Sequence, residues 1–221
     1  HDEPIPLELV LEAGVGDRWI PPLVTLVLAA VLIQTSLARL HSLDTGLDLA
    51  GYSQALWLLG QGKMPKATLF GTGVHLLQIH WSFILYPLAP LARYLEPAKV
   101  LLVTQALALA AAVLPLWRLA RGVANLRVGA ASCLVLVYAV HPATHLLGTQ
   151  DFHPESLAVP ALIGMAWFGA TRRWVPYWAC IAVADAPLVE GAVAAGVLAS
   201  VGAELADVAQ AAEEARHARK L

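Results

Sequence analysis

Residues 20–38 read IPPLVTLVLAAVLIQTSLA and hold no charged side chain. A helix of roughly 20 such residues crosses the hydrocarbon core of a bilayer, so this stretch decides the kind of solvent the chain is built for. The composition agrees: over 221 residues, 58% are hydrophobic and 14% charged, where soluble domains hold about 45–50% and 25%. Mean hydropathy is +0.65. Such a chain is too apolar for disorder. With a formal charge of −2 it has no basic face for nucleic acid. Its two cysteines, Cys133 and Cys180, lie in apolar runs and read as small buried hydrophobes, not as a disulfide framework. The expected fold class is all-α, a polytopic transmembrane helical bundle.

Working outward from residues 20–38, further apolar runs give spans at about 99–117, 128–148, 156–171, 174–185 and 187–203. The last two divide one long run near Asp185, because an acid in mid-bilayer is costly. The acidic stretch 1–19 has no basic n-region and reads as an N-terminal cytoplasmic segment before a signal anchor. The chain begins with His, so upstream sequence is expected. Lys and Arg collect on the cytoplasmic side. Placing Arg18 inside puts Arg118, Arg121, Arg127, Arg172, Arg173, Arg216, Arg219 and Lys220 inside with it. Both termini are then cytoplasmic, in a bacterial plasma membrane, and 204–221 is a cytoplasmic helical tail. Residues 39–98 form an outer loop. In it Tyr52–Gly60 is a short interfacial helix broken by Gly60, Gly62 and Pro65, and 74–95 is a second segment at or dipping into the interface.

This threading gathers acids, amides and imidazoles at the outer face: Asp44, Asp48, Gln54, His75 and His80, then His141, His145, Asp151, His153 and Glu155, then Asp185 with Glu190 nearby. Each has an ordinary structural reading as well. Asp44 or Asp48 can cap the helix that follows them, and Asp151 can cap a helix entered at Pro154. His75 and His80, at i, i+5, diverge on a helix; His141 and His145 are separated by Pro142 and lack the zinc-protease pattern. Structural roles are the better reading of these histidines. No phosphate-binding glycine loop and no GxSxG elbow occurs.

The strings LDLAGYSQALWLLGQGK and GVHLLQIHWSFILYPLAPLARYL, and above all DFHPESLAVP, resemble the bacterial polytopic membrane proteins grouped as domain of unknown function 2079. The likeness runs from about residue 40 to 200. Of the family's later basic–acidic motif only Asp185 remains, in VAD at 183–185. Members are generally longer, so the chain reads as a truncated one. The layout is similar, more distantly, to membrane glycosyltransferases of the GT-C type, which use polyprenyl-phosphate sugars. That similarity implies inverting transfer of a sugar to a cell-envelope acceptor at the outer face. Asp48 would be the general base and Asp151 the second catalytic residue, with Gln54, His80, His153, Glu155 and Asp185 binding substrate. Asp151 and Glu155 would orient the acceptor or hold a divalent cation, which His153 could also ligate, with His153 and His80 near the leaving phosphate. Two other readings stand beside it: a transporter or lipid-handling protein, and an inactive fragment. Few polar groups lie in mid-span (Gln34, Gln105), which favours the enzyme over a carrier.

Overall fold

The computed structural model describes residues 15–70, 75 and 83–188. Among these residues the structure is helical, with a single antiparallel bridge, Lys66–His75, and no strand. The helices are α1 (Val15–His41), α2 (Leu47–Gly60), α3 (Leu85–Leu88), α4 (Pro97–Ala111), α5 (Val113–Arg118), α6 (Val128–Val140), α7 (Pro142–Thr149), α8 (Ala158–Ala170) and α9 (Trp174–Leu188). A helix is present where one was expected at 52–60, and it begins earlier, at Leu47. It stops where expected, with Gly62 at φ +70, a conformation glycine adopts without cost.

Two helices are long and apolar enough to cross a membrane among the described residues: Gly16–His41 and Pro97–Val123. The second joins α4, α5 and a π turn at Leu119–Val123. The span expected at 128–148 is bent by 43° between α6 and α7, and counts as a third only if the pair is one broken span. The cause is local: Pro142 opens α7, and the ring of a proline drives the residue before it out of the helical region. His141 accordingly sits at φ −62, ψ 132. The helix expected at 156–171 has 13 residues, about 20 Å at 1.5 Å per residue, because a 3-10 turn over Pro154–Leu157 takes its start. Nor does the chain turn at Asp185. Helix α9 continues through it to Leu188, and Ala184 packs against Ala158 and Ala161. The expected span 187–203 falls almost wholly outside the described residues, as do Glu190, the tail 204–221 and most of 1–19 and 74–82.

Helix α1 packs on α4 to α7 through Leu28, Leu32, Ala106, Leu109, Val113, Trp117 and Val135. Its opposite face leaves Leu23, Leu26 and Val27 exposed, and α6 likewise exposes Leu136 and Val137. Exposed aliphatic faces this extensive belong against lipid. Cys133 shares the outward side of α6 and is exposed, not buried as its apolar context suggests; it and Cys180 are free thiols.

The bundle has two chemically different ends. At one, the Arg121 guanidinium grips Asp17 (Nη2 to Oδ2 2.8 Å) and also donates to the Leu126 carbonyl at 2.7 Å, tying the start of α1 to the turn after α5. Both side chains of the pair are largely buried. A planar fork on a carboxylate is the strong form of such a pair. At the other end lie the C-terminus of α1, helix α2, the start of α4 and the loop 150–157.

Close approach between α1 and α7 depends on Gly148. A Cβ there would stand 2.9 Å from Leu32 Cδ2 and 3.1 Å from Leu109 Cδ1. The buried Ser36 hydroxyl lies 2.7 Å from the Gly148 carbonyl in the same contact. Gly148→Val is therefore expected to cost about 1–3 kcal/mol, the usual range for overpacking, read as a lower thermal midpoint of the purified chain in detergent. An unchanged midpoint would mean that α1 and α7 are not in this contact.

Candidate functional site

The acidic end is built around the N-terminus of α2. Helices leave their first N–H groups unpaired, and the N-cap of α2 is Gly46, which has no side chain to offer. The carboxylate comes from far along the chain: Asp151 Oδ1 accepts the Leu49 N–H at 2.7 Å and the Phe152 N–H at 2.9 Å. Gly46 is what admits it, since a Cβ there would overlap Asp151 Oδ2. The cap expected from Asp44 or Asp48 is thus supplied by Asp151 across 102 positions. Asp44 instead pairs with Arg39 at 3.0 Å on the surface. Asp151 does not cap the turn at Pro154, whose N-cap, His153, makes no side-chain bond.

Gln105 holds the Asp151 loop in place. Its side chain is fully buried on α4. Nε2 donates to the carbonyls of Leu147 and Asp151, both at 2.8 Å. Oε1 accepts the His153 N–H at 2.6 Å and the Ser156 hydroxyl at 3.4 Å. A carboxamide has two donors and two acceptor positions, and all are used. Phe152, also fully buried, meets Tyr52 of α2 edge-on at 5.1 Å. Loop and helix α2 are therefore locked by one polar and one aromatic contact.

The remaining candidates divide into bound and open groups. Gln54 is engaged with Thr68, accepting its N–H at 2.9 Å and donating to its hydroxyl at 3.0 Å, which secures the chain after α2. His141 Nδ1 accepts the Ala143 N–H and caps α7, while His145 Nε2 lies 2.8 Å from the Ala139 carbonyl. These histidines have the structural roles expected of them. Asp48, His153 and Glu155 are half-buried, and their side chains form no hydrogen bond or ion pair among the described residues. Asp185 lies on α9, a helix that packs against the 154–157 turn; His80 lies outside the described residues. No group of three or more His, Cys, Asp or Glu side chains is arranged to hold a metal among the described residues. Surface hollows, the larger about 380 Å³, sit at the far end of α2 near Gly60, Gln61 and Arg93. They are about 18 Å along the helix from Asp48 at 1.5 Å per residue.

Gly46 and Gln105 were not candidates as site residues. The signal for Gln105 is its place inside an apolar run, where an amide needs partners.

A helical bundle with lipid-facing sides, a polar loop buried at one end and arginines at the other is an integral membrane protein. The chain belongs to the DUF2079 family of predicted membrane proteins, whose model matches residues 39–188. The match includes both halves of the Leu49–Asp151 contact. No curated protein and no solved structure matches it.

Asp151→Asn keeps an acceptor oxygen toward Leu49 and is expected to leave stability nearly unchanged. Asp151→Ala removes the cap and is expected to cost about 0.5–2 kcal/mol. Gln105→Leu should cost more than either, because it strands buried peptide groups at about 1–3 kcal/mol each. Thermal unfolding of the three variants in one detergent checks the order; equal midpoints would contradict the geometry.

Proposed function

We propose that the chain is a glycosyltransferase-like membrane enzyme that transfers a sugar from a polyprenyl-phosphate donor to an acceptor hydroxyl, with the acidic end facing the outer side of a bacterial plasma membrane. The observation that carries this is the freedom of Asp48. Its ordinary role at a helix start would be capping, and Asp151 already performs that role for α2. A half-buried carboxylate with no side-chain partner among the described residues, beside such a contact, is available as a general base. Six spans of the GT-C type, with both termini cytoplasmic, complete the reading.

In the reaction the acceptor oxygen attacks the anomeric carbon while the bond from that carbon to the phosphate oxygen breaks, giving inversion. Polyprenyl phosphate leaves with the bonding electrons, and Asp48 takes the hydroxyl proton. Asp151 is then a positioning residue, holding α2 so that Asp48 meets the acceptor. His153 and Glu155, in the same loop, bind donor or acceptor in this reading, with Asp185 on the neighbouring helix. A carrier is the weaker reading. Gln105, the mid-span amide that would have marked a polar path, has every hydrogen-bonding position occupied by its own protein.

The test uses the full chain in liposomes with undecaprenyl phosphate carrying radiolabelled hexoses or pentoses, and a bacterial envelope-lipid extract as acceptor. Asp48→Asn is expected to lower transfer by about 10²–10⁴-fold, the usual contribution of a general base, while Asp151→Asn retains most activity. Transfer that survives Asp48→Asn, or no transfer from any of these donors, overturns the proposal.

A further inference from the structure

The arginine end of the bundle carries six arginines, Arg18, Arg118, Arg121, Arg127, Arg172 and Arg173, against one acid, Asp17, among the described residues. The chain converges there from both directions. Gly16 meets Val128 at the starts of α1 and α6, since a Cβ on it would lie 2.9 Å from Val128 Cγ1. Arg121 is spent on Asp17. The other five are exposed. Two of them flank one indole: the Arg118 guanidinium, from the end of α5, lies 4.8 Å from the Trp167 ring centroid, and that of Arg173, just past α8, lies 5.8 Å from it. Arg18 stands over Trp19 at 5.5 Å in the same manner. Trp19, Trp174 and Trp178 are exposed around this end, as tryptophans are at headgroup depth.

A guanidinium drawn to an aromatic ring by its charge makes no hydrogen bond to it and keeps its N–H groups for phosphate oxygens. Neither the Arg118 nor the Arg173 side chain makes a hydrogen bond or ion pair among the described residues. The rings also restrict both side chains, so less rotamer freedom is lost on binding an anion. We infer that this end is a binding surface for anionic phospholipid headgroups, with Arg118 and Arg173 forming a paired phosphate seat on Trp167. The occupant is a lipid because the seat is ringed by tryptophans and continuous with the exposed aliphatic faces of α1 and α6, where acyl chains lie. The inference does not depend on sugar transfer.

The experiment reconstitutes the full chain in phosphatidylcholine bilayers and measures, by electron paramagnetic resonance, its selectivity for spin-labelled phosphatidylglycerol over spin-labelled phosphatidylcholine. Wild type is expected to prefer phosphatidylglycerol. Arg118→Gln with Arg173→Gln should reduce the preference by about threefold or more, given about fivefold per arginine near a charged leaflet. Lys63→Gln with Arg93→Gln, at the other end, should leave it unchanged. If the first pair fails to fold, about 0.5 M NaCl on wild type decides, since screening at that ionic strength should remove the preference. Equal association of the two lipids with wild type, a preference that survives the Arg118 and Arg173 substitutions or the salt, or one lost equally with Lys63 and Arg93, overturns the inference.

Discussion

An amide inside an apolar helix is unfavourable unless each of its polar positions finds a partner, and Gln105 meets that condition with the backbone of another segment. Two carbonyls, one N–H and one hydroxyl from residues 147–156 close on its carboxamide. The consequence runs through the acidic end. Irregular backbone at membrane depth is tolerated only where protein satisfies it, and Gln105 is what lets the loop after α7 lie buried against α4. From there Asp151 reaches α2, and Phe152 packs on Tyr52.

The two ends of the bundle use the same means for opposite purposes. Asp17 and Arg121 neutralise each other and leave the surrounding arginines outward. At the other end Asp151 is absorbed by backbone N–H groups and leaves the half-buried Asp48 without a side-chain partner among the described residues. In each case one charged group does structural work, and it is a neighbour to which we assign a ligand. Burial and pairing sort residues of the same type into different roles, which explains why the functional reading rests on Asp48 more than on Asp151.

Glycine supplies the other constraint. Gly148 lets α7 come against α1, and Gly46 lets a carboxylate stand at the helix start. Neither requires a positive φ; both are matters of space. The proline-induced break at His141 belongs with them, since it turns one apolar run into the bent pair that feeds the loop toward Gln105.

The sequence by itself determined that the chain is helical and built for lipid, because apolar run length and the scarcity of charge are local properties that need no tertiary contact. It also separated arginine-bearing turns from acid- and histidine-bearing ones, since alternate spans must carry them to opposite ends. The family likeness, concentrated in LDLAGYSQALW and DFHPESLAVP, was legible for the same reason. Tertiary structure alone decided which acid caps α2, that Gln54 is bound within the fold, and that Gln105 is a tie between two segments. Those roles depend on contacts between residues 14 to 102 positions apart, and a hydrogen bond across such a distance leaves no period or spacing in the chain from which to read it.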